Sequence, residues 1–161
     1  SGTLKVAPEH ISPEVLKCMR KPDKDVFLKF SEKYKKTNEK NGKKQYLIPY
    51  LISSHPGSGL KEAVELALFL KDYGFVPDQV QDFYPTPGTL STCMYHTELD
   101  PLTMEPVYVA KDMEEKKMQR ALIHFNKPEN RKLAEKALAG AGRADLIPVL
   151  FSHLHYTKRK K

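Results

Sequence analysis

The segment that most constrains the fold is an apolar run, Tyr46–Ile52, followed by a polar turn and a long amphipathic helix. A run that is nearly all apolar is typical of a strand covered on both faces of a parallel sheet. The helix is predicted over Leu60–Tyr73, with an apolar stripe at helical spacing and Gly74 as its C-terminal stop. Pro49 lacks a ladder donor, which favours an edge or a bulge at that point of the strand.

Further strands and helices surround this unit in alternation. Short strands are predicted at Leu4–Ala7 and Gln79–Tyr84. Between the first strand and the second, Ser12 begins one helix, and Asp23 caps another that ends before Gly42. Strands that alternate with helices are typical of an α/β fold with a parallel sheet and right-handed crossovers.

The pattern changes after about residue 90. Two short β-like runs, Cys93–His96 and Val107–Val109, flank a turn at Asp100 and Pro101. The rest of the chain is predicted to be mostly helical, with helices at Met113–Phe125 and Glu129–Ala139 and a last short helix before Pro148.

Charge is distributed unevenly along the chain. The net charge is +7, and Lys17–Lys44 alone carries 11 Lys or Arg against 4 Asp or Glu. Residues 158–161 form a second basic segment at the C-terminus. Such segments can contact nucleic-acid phosphates, but lysine-rich helix faces are more often simply solvated. Both interpretations stay open at the level of sequence.

Several protein classes are disfavoured by composition. No apolar run approaches the roughly 18 residues of a membrane span, and the N-terminus lacks the layout of a signal peptide, so we expect a soluble, cytoplasmic protein without membrane contact. Cys18 and Cys93 are too few for a disulfide framework, and neither lies in a CxxC pair. His153 and His155 lack a third ligand at suitable spacing, so we predict no metal site.

Polar residues come directly after each of the three predicted strands. Because ligands bind beyond the carboxyl ends of parallel strands, we expect these residues to converge on one edge of the sheet. Each also has a purely structural interpretation, as a solvated loop, a helix cap or a rigid turn. The residues are Glu9 and His10, then Ser53, Ser54 and His55, and finally Tyr84 with the turn that contains Thr86, Gly88 and Thr89.

At these same loops the sequence resembles radical SAM proteins of the YgiQ type. The similarity extends over nearly the whole chain and its motifs are specific. It is carried by Ser1–His10, Tyr50–Gly57, Val80–Tyr95, Lys127–Arg131 and Gly140–Ile147.

The resemblance implies a partial (β/α) barrel of about three parallel strands. Residues 1–90 would form the C-terminal half of the barrel, and residues 91–161 a family-specific, mostly helical extension with a basic tail. Intact members of this family bind a 4Fe-4S cluster through a CxxxCxxC motif and cleave S-adenosylmethionine to a 5′-deoxyadenosyl radical. The motif is absent from this sequence. The resemblance therefore implies a C-terminal piece of a longer enzyme of unknown substrate, which by itself binds no cofactor and is inactive.

The resemblance also assigns roles to the loop residues. Glu9, His10, Ser53, Ser54, His55 and Tyr84 are expected to border S-adenosylmethionine, and Thr86, Gly88 and Thr89 the substrate.

The expected partner is the N-terminal half of the same protein. Without it, the strand at Leu4–Ala7 would lack a neighbour, which predicts either self-association or repacking of the C-terminal helices. An alternative function is a basic module that binds RNA through Lys17–Lys44 and residues 158–161. A second alternative is a structural half-domain that closes a barrel.

Overall fold

A computed structural model describes residues 2–152 of the chain. Within them, three parallel strands form one sheet in the order β1 (Thr3–Glu9), β2 (Tyr46–Ser53) and β3 (Gln81–Asp82). Helices cross over between successive strands. The predicted α/β class with a small parallel sheet is confirmed.

Seven α-helices occur in the described part of the chain. Two connect β1 to β2, one connects β2 to β3, and four come after β3. Single 3₁₀ turns precede the last two helices. The bounds are α1 Pro13–Met19, α2 Lys24–Lys40, α3 Leu60–Tyr73, α4 Leu90–Thr97, α5 Met113–Ile123, α6 Arg131–Gly140 and α7 Ile147–Phe151, with the 3₁₀ turns at Pro128–Asn130 and Ala144–Leu146.

The helix α3 has the bounds that its sequence pattern predicts. Gly74 ends it at a φ of 71°, and its N–H donates to the carbonyl groups of Leu70 and Lys71. Left-handed backbone at this position favours glycine. Leu66 and Leu70 belong to the apolar stripe and are buried. Local signals at both ends and along one face therefore specify this helix.

One hydrophobic core joins the sheet to the C-terminal helices. It contains buried leucines from β2, α3, α5, α6 and α7, namely Leu51, Leu66, Leu122, Leu138 and Leu150. The helices α5 and α6 pack on α3, and α5 also contacts β2. The domain boundary near residue 90 stays a prediction.

One face of β2 is buried and the other is only partly covered, so the expectation of cover on both faces is wrong at Tyr46 and Tyr50. Leu51 is 1% exposed, whereas the side chains of Tyr46 and Tyr50 are 66% and 43% exposed. The C-terminal helices pack on α3 and leave these tyrosines open to solvent. The alternative in which those helices repack over the open part of the sheet is not observed at Tyr46 and Tyr50.

Pro49 lies within β2 opposite Val6 of β1, and the register shifts between Val6 and Glu9. The strand β3 pairs with β2 only at Ile52 and Ser53. The proline therefore lies next to an irregularity, in a stretch where β2 pairs with β1 and not with β3. This agrees with the expectation of an edge or bulge.

The β-like run Cys93–His96 is not a strand, because it lies inside α4. The side chain of Thr89 accepts a hydrogen bond from the Thr92 N–H and caps this helix, and Met94 is fully buried. The run Val107–Val109 also forms no strand. An isolated antiparallel bridge joins Leu99 to Pro106 around the predicted turn.

Other element ends differ modestly from expectation. The strand β3 is shorter than Gln79–Tyr84, although the Phe83 N–H still donates to the Ser53 carbonyl at 2.8 Å. The helix α7 includes Pro148 in its first turn instead of ending before it, since proline is tolerated there.

The pair His153 and His155 and the basic segment 158–161 lie outside the described residues.

Candidate functional site

The carboxyl ends of the three strands lie at one edge of the sheet, which we call the strand rim (residues 9–10, 53–57 and 83–89). The parallel pairing of β2 with both neighbours places them there. The ring centroids of Phe83 and His55 lie 4.9 Å apart in an edge-on arrangement, and Glu9 of β1 is in register with Leu51 of β2. The expected convergence of the three loops is therefore present.

Glu9 ends β1 with a left-handed backbone, at a φ of 63°. Its half-buried carboxylate lies 3.4 Å from the ammonium group of Lys21. The same ammonium donates to the Ala7 carbonyl at 2.8 Å. Left-handed backbone costs a non-glycine residue about 1–2 kcal/mol. The chain thus bends at a strained residue that carries a charge.

His10 is 1% exposed and lies beneath the rim. Its Nδ1 atom accepts a hydrogen bond from the Ser12 N–H at 3.0 Å, so the proton of the neutral ring is on Nε2. Burial, and then the charge of nearby His55, lower the pKa of His10 to about 3. This histidine is therefore neutral at physiological pH and supports the turn into α1.

Ser53 and Ser54 lie at the end of β2 and are both buried. The Ser53 hydroxyl donates to a carboxylate oxygen of Asp82 at 2.6 Å. Arg120 of α5 donates to the same oxygen at 3.1 Å. Ser54 has a φ of 59°, and within the described part of the chain its hydroxyl has no hydrogen-bond partner. Ser54 is thus a second strained residue, directly after β2, as Glu9 is at the end of β1.

His55 is fixed by contacts at both ring nitrogens. Its Nδ1–H donates to the Pro56 carbonyl at 2.8 Å, because a carbonyl only accepts. In the neutral ring, Nε2 then accepts from the Ser91 hydroxyl at 2.8 Å. Burial lowers the pKa of His55, while the hydrogen bond to Pro56 opposes this shift. The ring therefore connects the loop after β2 to the first turn of α4.

The loop after β3 is held by its own hydroxyl groups. The Thr86 carbonyl accepts from the Thr89 hydroxyl at 3.0 Å and from the Thr92 hydroxyl at 2.7 Å. Gly88 has a φ of 81°, where glycine is favoured. Tyr84 is 75% exposed. The loop thus offers a rigid turn and one solvent-facing aromatic ring at the rim.

Sequence patterns missed Gln119, which is fully buried under the loop after β2. Its carbonyl oxygen accepts from the Ser54 N–H at 3.2 Å and from the Ser58 hydroxyl at 3.0 Å. Its amide donates to the Ser58 carbonyl at 2.8 Å. A signal was available, because Gln119 is a polar residue on the apolar face of a predicted helix, one turn before Leu122.

A cleft of about 620 Å³ opens between α1, the start of α3 and the loop that ends at Tyr108. Glu62 and Glu115 are among its lining residues. Burial, and then a hydrogen bond to Glu115, raise the pKa of Tyr108 to about 12. Burial, and then the charge of Asp100, raise the pKa of the Cys18 thiol. Neither group is therefore prepared as an anionic nucleophile at neutral pH.

Two kinds of feature are absent from residues 2–152. No cluster of three or more His, Cys, Asp or Glu side chains in this range could hold a metal ion. No helix in this range has the length and apolar character needed to cross a membrane.

Comparison with known proteins identifies relatives whose activity is not described by their names. Residues 78–160 match a protein-family model described as "Domain of unknown function (DUF3362)". A "UPF0313 protein" of Clostridium perfringens strain SM101 is 58% identical over 91% of this chain, which spans 22% of that relative. A "UPF0313 protein" of Clostridium botulinum strain Loch Maree is 58% identical over 91% of the chain and 23% of the relative. The chain therefore spans less than a quarter of these proteins. No solved structure matches it significantly.

Proposed function

The chain belongs to the protein family described as a domain of unknown function, DUF3362, and we propose that it supplies part of the S-adenosylmethionine and substrate pocket of a radical SAM iron–sulfur enzyme. Support comes from the sequence resemblance at the loops after all three strands. The relatives are several times longer than this chain. The proposal therefore concerns a longer protein of which this chain is one segment.

The observation that carries the proposal is the backbone at the ends of β1 and β2. Glu9 and Ser54 both adopt left-handed conformations although neither is glycine. Such strain persists only where the surrounding structure imposes it, and it is concentrated at functional sites. Among the described residues, Arg20, Glu98 and Met104 share this backbone at two helix ends and in a turn. Glu9 and Ser54 differ from them because they lie at two neighbouring strand ends, at the edge where parallel sheets bind ligands.

The residues of the chain fit S-adenosylmethionine but not the iron–sulfur cluster. No three candidate ligands cluster within residues 2–152, so this part does not fit an iron–sulfur cluster, which we assign to another part of the longer protein. The rim does offer polar groups suited to S-adenosylmethionine. These are the half-buried carboxylate of Glu9 and the buried hydroxyl of Ser54, which has no hydrogen-bond partner among residues 2–152.

Each rim residue has a separate task in this proposal. Glu9 and Ser54 would help to hold S-adenosylmethionine, which would supply radical chemistry when bound to a reduced iron–sulfur cluster. The Glu9 carboxylate accepts hydrogen bonds from the hydroxyl or ammonium groups of the cofactor, and the exposed ring of Tyr84 offers an apolar surface to its adenine. His10 and His55 position the loops, because their ring nitrogens contact Ser12, Pro56 and Ser91.

The substrate side of the proposed pocket is the turn that carries Thr86, Gly88 and Thr89. These three residues are exposed, and the hydrogen bonds within the turn hold it without an external partner. A preformed turn binds its ligand at a lower entropic cost than a flexible one.

Binding and turnover measurements test the proposal. For the 161-residue chain alone, titration calorimetry should find no binding of S-adenosylmethionine at micromolar concentration, since the chain offers only half of the pocket. In the longer protein, Glu9→Gln should weaken cofactor binding at least about tenfold, or about 1.4 kcal/mol. It should also lower the formation of 5′-deoxyadenosine.

The matched control is Glu39→Gln, which removes an exposed carboxylate from α2. This control should leave both measurements unchanged. Equal effects of the two variants, or micromolar affinity in the isolated chain, would contradict the assigned role of the rim.

A further inference from the structure

The helix α2 carries a row of four exposed lysines, which we call the lysine row: Lys29, Lys33, Lys36 and Lys40. Their spacing of three or four residues places them on one side of the helix. Together they line a shallow cleft of about 370 Å³. At a rise of 1.5 Å per residue, the row extends over about 16 Å.

The structure separates this row from the three basic residues in and directly after α1. Arg20 donates to both carboxylate oxygens of Asp100 at 2.6 Å. Lys21 pairs with Glu9, and Lys17 lies 3.5 Å from Glu105. These three cations neutralise carboxylates around α1. The basic stretch Lys17–Lys44 is therefore not one continuous binding surface.

The lysine row retains an excess of positive charge. Within the described residues, Lys36 of the row forms an ion pair with Glu32 of the same helix, with 2.6 Å between Nζ and Oε1. Both side chains are largely exposed, and such surface pairs contribute little to stability. The pair can therefore open at little cost when a stronger anion approaches.

The chemistry of the cleft favours a phosphate backbone over a lipid bilayer. Its remaining lining residues are Glu32 and Thr37, so all of its residues are polar. A helix that inserts into a bilayer surface presents apolar residues beside its lysines. The exposed apolar residues of α2, Val26 and Phe30, line a separate groove next to β1 and not this cleft. Phosphate groups of a nucleic acid require only a line of cations.

We propose that the lysine row binds the phosphate backbone of RNA. The contact is sequence-independent, because lysine ammonium groups contact phosphates and not base edges. It goes beyond the proposed function, since the row is on α2 and contains none of the rim residues. Each lysine of the row contacts a phosphate of this polyanion through its ammonium group.

Fluorescence anisotropy with a fluorescein-labelled RNA hairpin of mixed sequence tests this proposal on the 161-residue chain. Replacing all four lysines of the row by glutamine should weaken binding at least about tenfold at moderate salt. The slope of log K against log salt concentration should become shallower by about 3, as expected when four phosphate contacts are lost. Replacing the same four by arginine should retain binding, because the charge is kept.

The matched control removes the same charge elsewhere, through Lys5→Gln, Lys61→Gln, Lys132→Gln and Lys136→Gln, all at exposed positions. It should change affinity less than about threefold, since these lysines are on β1, α3 and α6 and none of them lines the cleft. Circular dichroism verifies that every variant is folded. Equal losses in the two glutamine variants would overturn the proposal. So would binding to phosphatidylserine vesicles without binding to RNA, or absence of RNA binding by the unmodified chain.

Discussion

His10 and His55 are two buried histidines that remain uncharged at neighbouring strand ends. Burial lowers the pKa of both, and the positive charge that His55 gains in acid lowers the pKa of His10 further. The neutral ring of His10 has a specific task, since its Nδ1 accepts the Ser12 N–H. Protonation would replace this acceptor by a donor and place a charge in the core.

Acid should therefore destabilise the chain through His10. Its pKa is about 3 in the folded state and 6.5 as the ordinary value. Between these values the unfolded chain binds a proton that the folded chain does not. His10 therefore does not lower the free energy of unfolding above about pH 6.5. Below that pH, the free energy of unfolding falls by up to about 1.4 kcal/mol per pH unit because of this one histidine.

Urea denaturation as a function of pH measures this loss. The variant His10→Asn keeps an acceptor for Ser12 but does not titrate, so its stability should fall less steeply between pH 6.5 and pH 4. Some slope should remain, because the pKa of His55 is also lowered. If the free energy of unfolding depends on pH equally in the variant and the unmodified chain, His10 is not the source of the acid destabilisation.

At the level of elements, α4 shows how a cap and one buried side chain override a local strand pattern. Alternating residues around Cys93–His96 favoured a strand. The Thr89 side chain instead caps a helix, and Met94 is fully buried. The helix also carries Ser91, whose hydroxyl donates to His55. Formation of α4 therefore positions the loop after β2 as well.

Loss of the cap should weaken α4 measurably. Thr89→Ala removes the acceptor for the Thr92 N–H and should lower the free energy of unfolding by about 1 kcal/mol. Thr89→Ser keeps the hydroxyl and should remain within about 0.5 kcal/mol of the unmodified chain. Chemical denaturation compares the three proteins. If serine and alanine are equally destabilising, the capping hydrogen bond does not explain the helix.

At the scale of the whole molecule, the sheet has an open edge and a partly open face. The strand β1 pairs with β2 alone among the described strands. Beside it, a groove of about 280 Å³ contains Val26 and Phe30 of α2, which are 54% and 43% exposed. Tyr46 adds exposed apolar area at the start of β2. We propose that another part of the longer protein covers this surface.

The isolated chain should therefore self-associate at high concentration. Exposed sheet edges and apolar patches promote association. Sedimentation velocity should show a concentration-dependent increase in mass, which Phe30→Lys and Tyr46→Lys together should reduce. Glu39→Lys and Lys136→Glu, both at exposed positions on other surfaces, serve as controls. A monomer at all concentrations would show that the open surface does not drive association.

Local signals in the sequence determined the α/β class, the helix α3 and the order of the polar loops. Caps, helical spacing and apolar runs involve residues close together in the chain, so they are visible without a structure. Only the tertiary structure decided that α4 is a helix, that β2 is open on one face and that Gln119 supports the loop after β2. It also set the paired cations Lys17, Arg20 and Lys21 apart from the lysine row. These features depend on contacts between distant residues, such as the 36-residue separation of His55 and Ser91, because burial and pairing arise only when the chain packs.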